Sequence, residues 1–314
     1  MAMLQARVVS PADLTDKVLA VLDGQPGATN ISSFRGAARK PDGDLIVADL
    51  ARECTDAVIE DLRALGVLER GSVGLVAIDT ALGRTVTEAE DRAPGEASDA
   101  VVWDEVLART HEDSTLTWSF ALFLVLATVL AAIGVITDSP VTIVGAMVVG
   151  PEFGPLAGLA LGLVRRRPLI ARRAAIALAV GFPVSVLVTA AGTVLARATG
   201  LAHLSDLTSP ARLTSFIYQP GAWSVITALI AGAAGILSLT SSRSAVLVGV
   251  FISVTTVPAA GNAAVAMVFG LYREAAGSLV QLGVNLVSIV AAGVFVLLWQ
   301  SRLARRGGAP SKPR

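Results

Sequence analysis

Six apolar segments, at about 117–137, 141–164, 174–196, 222–240, 244–269 and 276–299, occupy most of the chain beyond residue 115. Most approach the ~20 residues a helix needs to cross ~30 Å of hydrocarbon. Only 16% of the 314 residues are charged and 54% are hydrophobic, with a mean hydropathy of +0.68, whereas soluble chains carry roughly a quarter charged residues. The expectation is an all-α membrane domain over 116–300 with six transmembrane helices.

A net charge of zero conceals a division. Residues 1–115 hold 11 Lys or Arg against 21 Asp or Glu, and residues 116–314 hold 14 against 4. An acidic soluble domain therefore precedes a membrane domain almost free of acids. The start "MAMLQARVVS" shows no basic region followed by an apolar one, so no cleaved signal peptide is expected and the first 115 residues read as cytoplasmic. A net charge of −10 over that stretch argues against nucleic acid as a partner.

Within residues 1–80, strand-like "LQARVV", "ATNISSFRG", "GDLIVADLA" and "SVGLVAID" alternate with helical "SPADLTDKVLAVL" and "CTDAVIEDLRALGV". Ser10 is a candidate helix cap and Pro11 suits the first helical position. The order βαββαβ points to a ferredoxin-like α/β sandwich. Residues 81–115 are expected to be an acidic linker ending in a short amphipathic helix that carries Trp103, and residues 301–314 a basic tail. Neither the one cysteine, Cys54, nor the two histidines, His111 and His203, can build a disulfide or a histidine-rich metal site. No cofactor is expected.

Arg165, Arg166, Arg167, Arg172 and Arg173 lie between the second and third apolar segments, and Arg302, Arg305, Arg306, Lys312 and Arg314 follow the sixth. Positive charge accumulates on the inner side. That orientation puts both termini in the cytoplasm of a multi-pass inner-membrane protein. Trp118, Trp223 and Trp299 fall near predicted span ends, where indoles anchor.

The two halves of the membrane region share punctuation: Gly134 aligns with Gly235, Gly145 with Gly249, Pro155 with Pro258 and Gly158 with Gly261. Three spans per half would make the repeats inverted, an arrangement that transporters use. The second and fifth segments are interrupted, at "GPEFGP" and "TTVPAAGN", where proline removes an amide donor and glycine lets the backbone bend or approach closely. Gly150, Pro151, Gly154, Pro155, Gly158, Pro258 and Gly261 are the expected break residues, though the glycines equally suit close helix packing.

Glu152 sits on the first break. A carboxylate at membrane depth costs about 2.5–3.5 kcal/mol on insertion scales for acids such as Asp, and desolvation favours its neutral form, which makes it a candidate proton or cation carrier. Thr255, Thr256, Asn262 and Asn285 are the expected site partners; hydroxyls that bond their own helix and amides that join neighbouring helices are the structural alternatives. Asp138 and Ser139 before Pro140 read as a helix start.

At "GAMVVGPEFGPLAGLALGL", "VGVFISVTTVPAAGNAA" and "LVQLGVNLVSI" the chain resembles the bacterial and archaeal membrane family called domain of unknown function 389 over most of 116–300. Pro151, Gly154, Pro155, Pro258 and Asn285 match that family's positions; Glu152 stands where many relatives have an apolar residue, and Val257 where a second proline is common. The resemblance implies fold and membrane location, with an N-terminal α/β domain, and names no substrate. The expected function is secondary transport of a small solute or ion by a homo-oligomer in lipid. The alternative is a membrane scaffold or sensor. With no histidine or cysteine in the spans and no phosphate-binding loop, an enzyme or ATP-driven pump is not expected.

Overall fold

The computed structural model describes residues 3–94, 101–208, 212–219, 221–241 and 255–307. The chain divides into two compact units, the first running to Leu107 and the second formed mainly by Ala108–Leu239 and the residues from 243 to Arg305.

The first unit is built from β1 (Met3–Ser10), α1 (Thr15–Asp23), β2 (Ala28–Arg39), β3 (Asp42–Ala51), α2 (Arg52–Ala64), the short α3 (Val67–Arg70) and β4 (Ser72–Ile78). The antiparallel sheet has the order β2-β3-β1-β4, so the βαββαβ order read from the sequence is the one found. Strand alternation explains the core. Ala6 and Val8 of β1, opposite Ala48 and Ile46 of β3, turn the same way and bury with Val18, Leu22, Val58 and Leu62 of the helices.

Ser10 does not cap α1, contrary to expectation. It ends β1 opposite Asp44, residues 11–14 make a turn, and the helix begins at Thr15. The polar group that fixes this corner is Asp44, buried, which accepts from Thr15 Oγ1 and from the Gly36 amide, each at 2.7 Å. Those two bonds, the amide's first, hold its carboxyl below the ordinary range.

Part of the expected linker is helical. In α4 (Arg84–Arg92), Val86 and Ala89, with Ala93 just beyond, bury against Met3, Ala51 and Cys54. The amphipathic segment forms α5 (Trp103–Asp113), whose Asp104 and Glu105 pair with Arg63 and Arg52 at 3.0 Å each.

The second unit contains α6 (Trp118–Ile136), α7 (Pro140–Val149), α8 (Phe153–Val164), α9 (Pro168–Ala198), α10 (Leu204–Leu207), a 3-10 turn (Leu213–Ile217), α11 (Ala222–Thr240), α12 (Thr256–Val268) and α13 (Tyr272–Gly307). Among the described residues, α6, α9, α11 and α13 are long and apolar enough to cross a membrane, and α7 with α8, bent by 51°, forms a fifth span if the pair is one. The first part of the expected fifth segment, residues 244–254, lies outside the described residues. Its remainder, α12, has 13 residues and so spans about 20 Å, short of the hydrocarbon thickness. Six spans are therefore not all present among the described residues.

α12 is the centre of this unit, buried at every residue from Thr256 to Ala266. It packs on α6 through Gly261, where an added Cβ would come within 2.8 Å of Ala131 Cβ and 2.9 Å of the Thr128 carbonyl. Leu124, Ala127 and Ala131 of α6, Ala260 and Ala264 of α12 and Ala177 of α9 belong to the same buried cluster. Small side chains let these backbones approach.

At the other end of α6, Ser139 caps α7 by accepting from the Thr142 amide at 3.3 Å, with Pro140 at the first position. Asp138, at φ 46°, does not cap that helix. It accepts instead from Leu213 N, Thr214 Oγ1 and Thr214 N, at 3.0, 2.9 and 3.0 Å. Partial burial works against its ionisation, but these bonds outweigh it and hold the carboxyl below its usual range.

Candidate functional site: a buried carboxylate at a helix break

α7 ends at Gly150, whose extended backbone (φ −64°, ψ 128°) turns the chain into Pro151 and Glu152 before α8 starts. Proline at 151 cannot donate the next helical hydrogen bond. Of the residues expected to make the first break, Gly150 and Pro151 do so, while Gly154, Pro155 and Gly158 lie inside α8. Pro258 and Gly261 likewise lie inside α12. Both prolines are third in their helices, where the backbone N–H has no intrahelical acceptor in any case.

The Glu152 side chain is 7% exposed and folds back over Gly150. A Cβ on Gly150 would overlap Glu152 Oε2 and come within 2.8 Å of Val257 Cγ2. Glu152 Oε1 accepts from the Thr256 hydroxyl at 2.5 Å, and Oε2 has no partner. Thr256 is the first residue of α12, so the carboxylate also meets the positive end of that helix dipole.

One residue back, Thr255 Oγ1 accepts from Asn285 Nδ2 at 3.0 Å, and Asn285 Oδ1 accepts from Gln281 Nε2 at 2.9 Å. The structure thus gathers Glu152, Thr255, Thr256 and Asn285 around the start of α12. Asn262 belongs to a different cluster: its Nδ2 donates to Ser278 Oγ at 2.8 Å, and Ser278 donates to the Glu274 carbonyl at 3.0 Å. Glu274 Oε1 in turn accepts from Arg212 Nη1 at 3.0 Å, a pair whose side chains are 13% and 3% exposed.

Gln281, Ser278, Glu274 and Arg212 were not anticipated. A signal existed in the sequence, because Glu274, Ser278, Gln281, Asn285 and Ser288 recur at intervals of four and three along α13 and so share one helical face. Ser278, Gln281, Asn285 and Ser288 of that face are buried and Glu274 is partly so, while Leu279, Val280 and Val287 are exposed. The helix is inside out by soluble standards, as a bilayer requires.

A cavity of 410 Å³ lies on another side of the break, lined by Gly150, Pro151, Phe153 and Gly154 together with Phe120 and Thr117. Glu152 is not part of its wall. The glycines of α8 serve packing. A Cβ at Gly154 would come within 2.7 Å of Asp113, one at Gly158 would overlap Ser114 Oγ, and one at Gly162 would come within 2.7 Å of the Ala171 amide. Among the described residues no three His, Cys, Asp or Glu side chains gather as metal ligands do.

Residues 147–291 match the family model described as Domain of unknown function (DUF389), the family whose motifs the sequence resembles. An uncharacterized protein of Methanocaldococcus jannaschii is 24% identical over 208 residues, which cover 66% of this chain and 62% of that protein. No solved structure matches.

Proposed function

We propose that this chain, carrying a DUF389 region, is a secondary transporter of a small solute or ion in the inner membrane, with a proton or cation bound at Glu152 as the coupling step. The observation that carries the reading is the buried Glu152 carboxylate, held at a helix break by Thr256 from the start of a second short helix and left with one open oxygen. An ionisable group inside a membrane domain marks ion pathways by default, and helix ends that meet at membrane depth are how transporters build sites.

The reading takes the chain as six spans in two inverted three-helix repeats, with both termini cytoplasmic. Support for the repeat comes from the paired short helices, in which Pro155 and Pro258 are both third and Gly158 and Gly261 both serve close packing. In this reading the chain works as a homo-oligomer, and the N-terminal α/β unit, ferredoxin-like in its order, regulates or assembles it.

The test is flux in proteoliposomes under imposed pH and sodium gradients, using a panel of small solutes, with Glu152→Gln beside the wild type. The expected result is flux in the wild type and its loss in the variant. A correctly folded wild type that moves nothing across the panel would refute transport.

A second reading, a scaffold or sensor without transport, draws on the cavity that stops at the break without reaching Glu152. It requires Glu152→Gln to leave partner or ligand binding by the N-terminal unit unchanged.

A further inference from the structure

The polar face of α13 meets the start of α12 beside the Glu152 site, and three unpartnered oxygens lie along this seam, one each from α13, α12 and Glu152. From Glu274 to Asn285 is eleven residues, about 16 Å at the helical rise of ~1.5 Å per residue. One hydrogen-bonded cluster joins the Arg212–Glu274 pair to Ser278 and Asn262, a second, one turn further along α13, joins Gln281, Asn285 and Thr255, and the neighbouring Thr256 bonds Glu152. Asn262, Ser278, Gln281 and Asn285 are each at most 1% exposed. Asn262 Oδ1, Gln281 Oε1 and Glu152 Oε2 are buried without a partner.

Leaving a buried acceptor unsatisfied costs about 1–3 kcal/mol, and such groups are tolerated at membrane depth where they face protein or a wet cavity. All three open atoms from Asn262 to Glu152 are acceptors. They therefore select a traveller that donates hydrogen bonds.

Resting on the transport reading of Glu152, we infer that this seam is a proton path joining the Glu274 end of α13 to Glu152 Oε2, with water bound to the open oxygens of Asn262 and Gln281 as the relay. The proton leaves hydronium at the Glu274 end, shifts from one water to the next, and forms the O–H bond at Glu152 Oε2, neutralising the carboxylate. The amides stay unchanged and serve as acceptors that hold the waters in line.

The chemistry favours a proton over a metal cation. The open oxygens belong to three separate hydrogen-bonded pairs, whereas hard divalent ions such as calcium take six to eight oxygens converging on one point. The charged groups nearest the path are few. α6, α7, α8, α11 and α12 contain none, Asp113 lies against Gly154 near the break, and Arg212 and Glu274 pair at the far end, with Asp138 bonded to the residues after Arg212. Arg273 sits beside Glu274, and Arg172, Arg173 and Arg197 lie toward the ends of α9.

The experiment is infrared spectroscopy of the full chain in lipid. The protonated carboxyl band of Glu152 is assigned by its loss in Glu152→Gln, and its hydrogen–deuterium exchange is timed after transfer to D₂O. Gln281→Leu and Asn262→Leu are expected to slow exchange about tenfold or more. Gln281→Asn, shorter but still polar, should restore most of the rate, and Thr189→Val, which removes a buried hydroxyl on α9 and none from α12 or α13, should leave it unchanged.

Unaltered exchange in both leucine variants overturns the path, as does equal slowing by Thr189→Val. So does a band that answers to sodium at constant pH and not to pH, or a Glu152 that stays ionised at every pH the folded protein tolerates. Exchange requires no net flux, so fast, seam-dependent exchange without transport refutes the transporter and keeps the path. Flux with seam-independent exchange does the reverse.

Discussion

The Thr256 hydroxyl donates to Glu152 Oε1 over 2.5 Å, joining residues 104 apart in sequence. The bond ties the start of α12 to the break before α8. Hydrogen bonds to charged groups contribute about 1.5–3 kcal/mol, and loss of the donor here leaves both carboxylate oxygens unpartnered in a buried place. Thr256→Val is therefore expected to lower the thermal midpoint of the detergent-solubilised protein by several degrees, and Thr256→Ser, which keeps the hydroxyl, to recover most of the loss.

Gly150 is required by the carboxylate that lies over it. Gly150→Ala forces Glu152 and Val257 to move, and overpacking of this kind costs about 1–3 kcal/mol. Gly192, inside α9, meets nothing within 4 Å of an added Cβ. Gly192→Ala should leave stability unchanged or raise it by up to ~1 kcal/mol. Parallel unfolding curves of the two variants check the contrast, and equal effects would show that helix propensity alone is being measured.

The Arg212–Glu274 pair is buried on both sides, and removing one partner of such a pair typically costs about 3–5 kcal/mol. Arg212→Ala should destabilise strongly, whereas the double change Arg212→Met with Glu274→Gln should be much milder because no charge is stranded. A double-mutant cycle followed by thermal unfolding measures the coupling. Additivity of the two changes would mean that the pair does not hold the 3-10 turn to α13.

Asp44 gives the N-terminal unit a pH dependence with a definite sign. Its carboxyl is held below the ordinary value of about 3.9 by Gly36 N–H and Thr15. The stabilisation is therefore complete above that value and is lost as the pH falls through the lower, folded one. Peptide-level hydrogen exchange on the intact chain should show β2 and β3 losing protection below about pH 4. In Asp44→Asn protection should be lower at neutral pH and flatter below it.

The N-terminal unit was legible because strands advertise a period of two: Ala6 and Val8 alternate with Gln5, Arg7 and Val9, and the sheet buries Ala6 and Val8. α4 escaped notice because "RTVTEAEDR" is polar overall, and its buried contribution comes from Val86 and Ala89 on one side. Composition averages over a helix; burial selects a face.

In the membrane unit, Glu152 and Asn285 stand out as rare polar residues in apolar runs, whereas Glu274 precedes the sixth apolar segment and Gln281 lies near its start, where a polar residue is unremarkable. Their spacing was informative where their identity was not. Pro258 misled for a different reason, since proline within an apolar run marks a kinked helix and a helix start equally well. The structure assigns it to a start.

A proline third in a helix has a consequence for solvation. The opening turn of any helix presents amide hydrogens that no carbonyl of that helix can reach. Water normally accepts them, and hydrocarbon does not. By lacking the hydrogen altogether, Pro155 and Pro258 each reduce by one the number of thirsty donors that α8 and α12 bring into the buried apolar interior of the unit. Alanine at either position, a better helix former on any propensity scale, would enlarge that deficit.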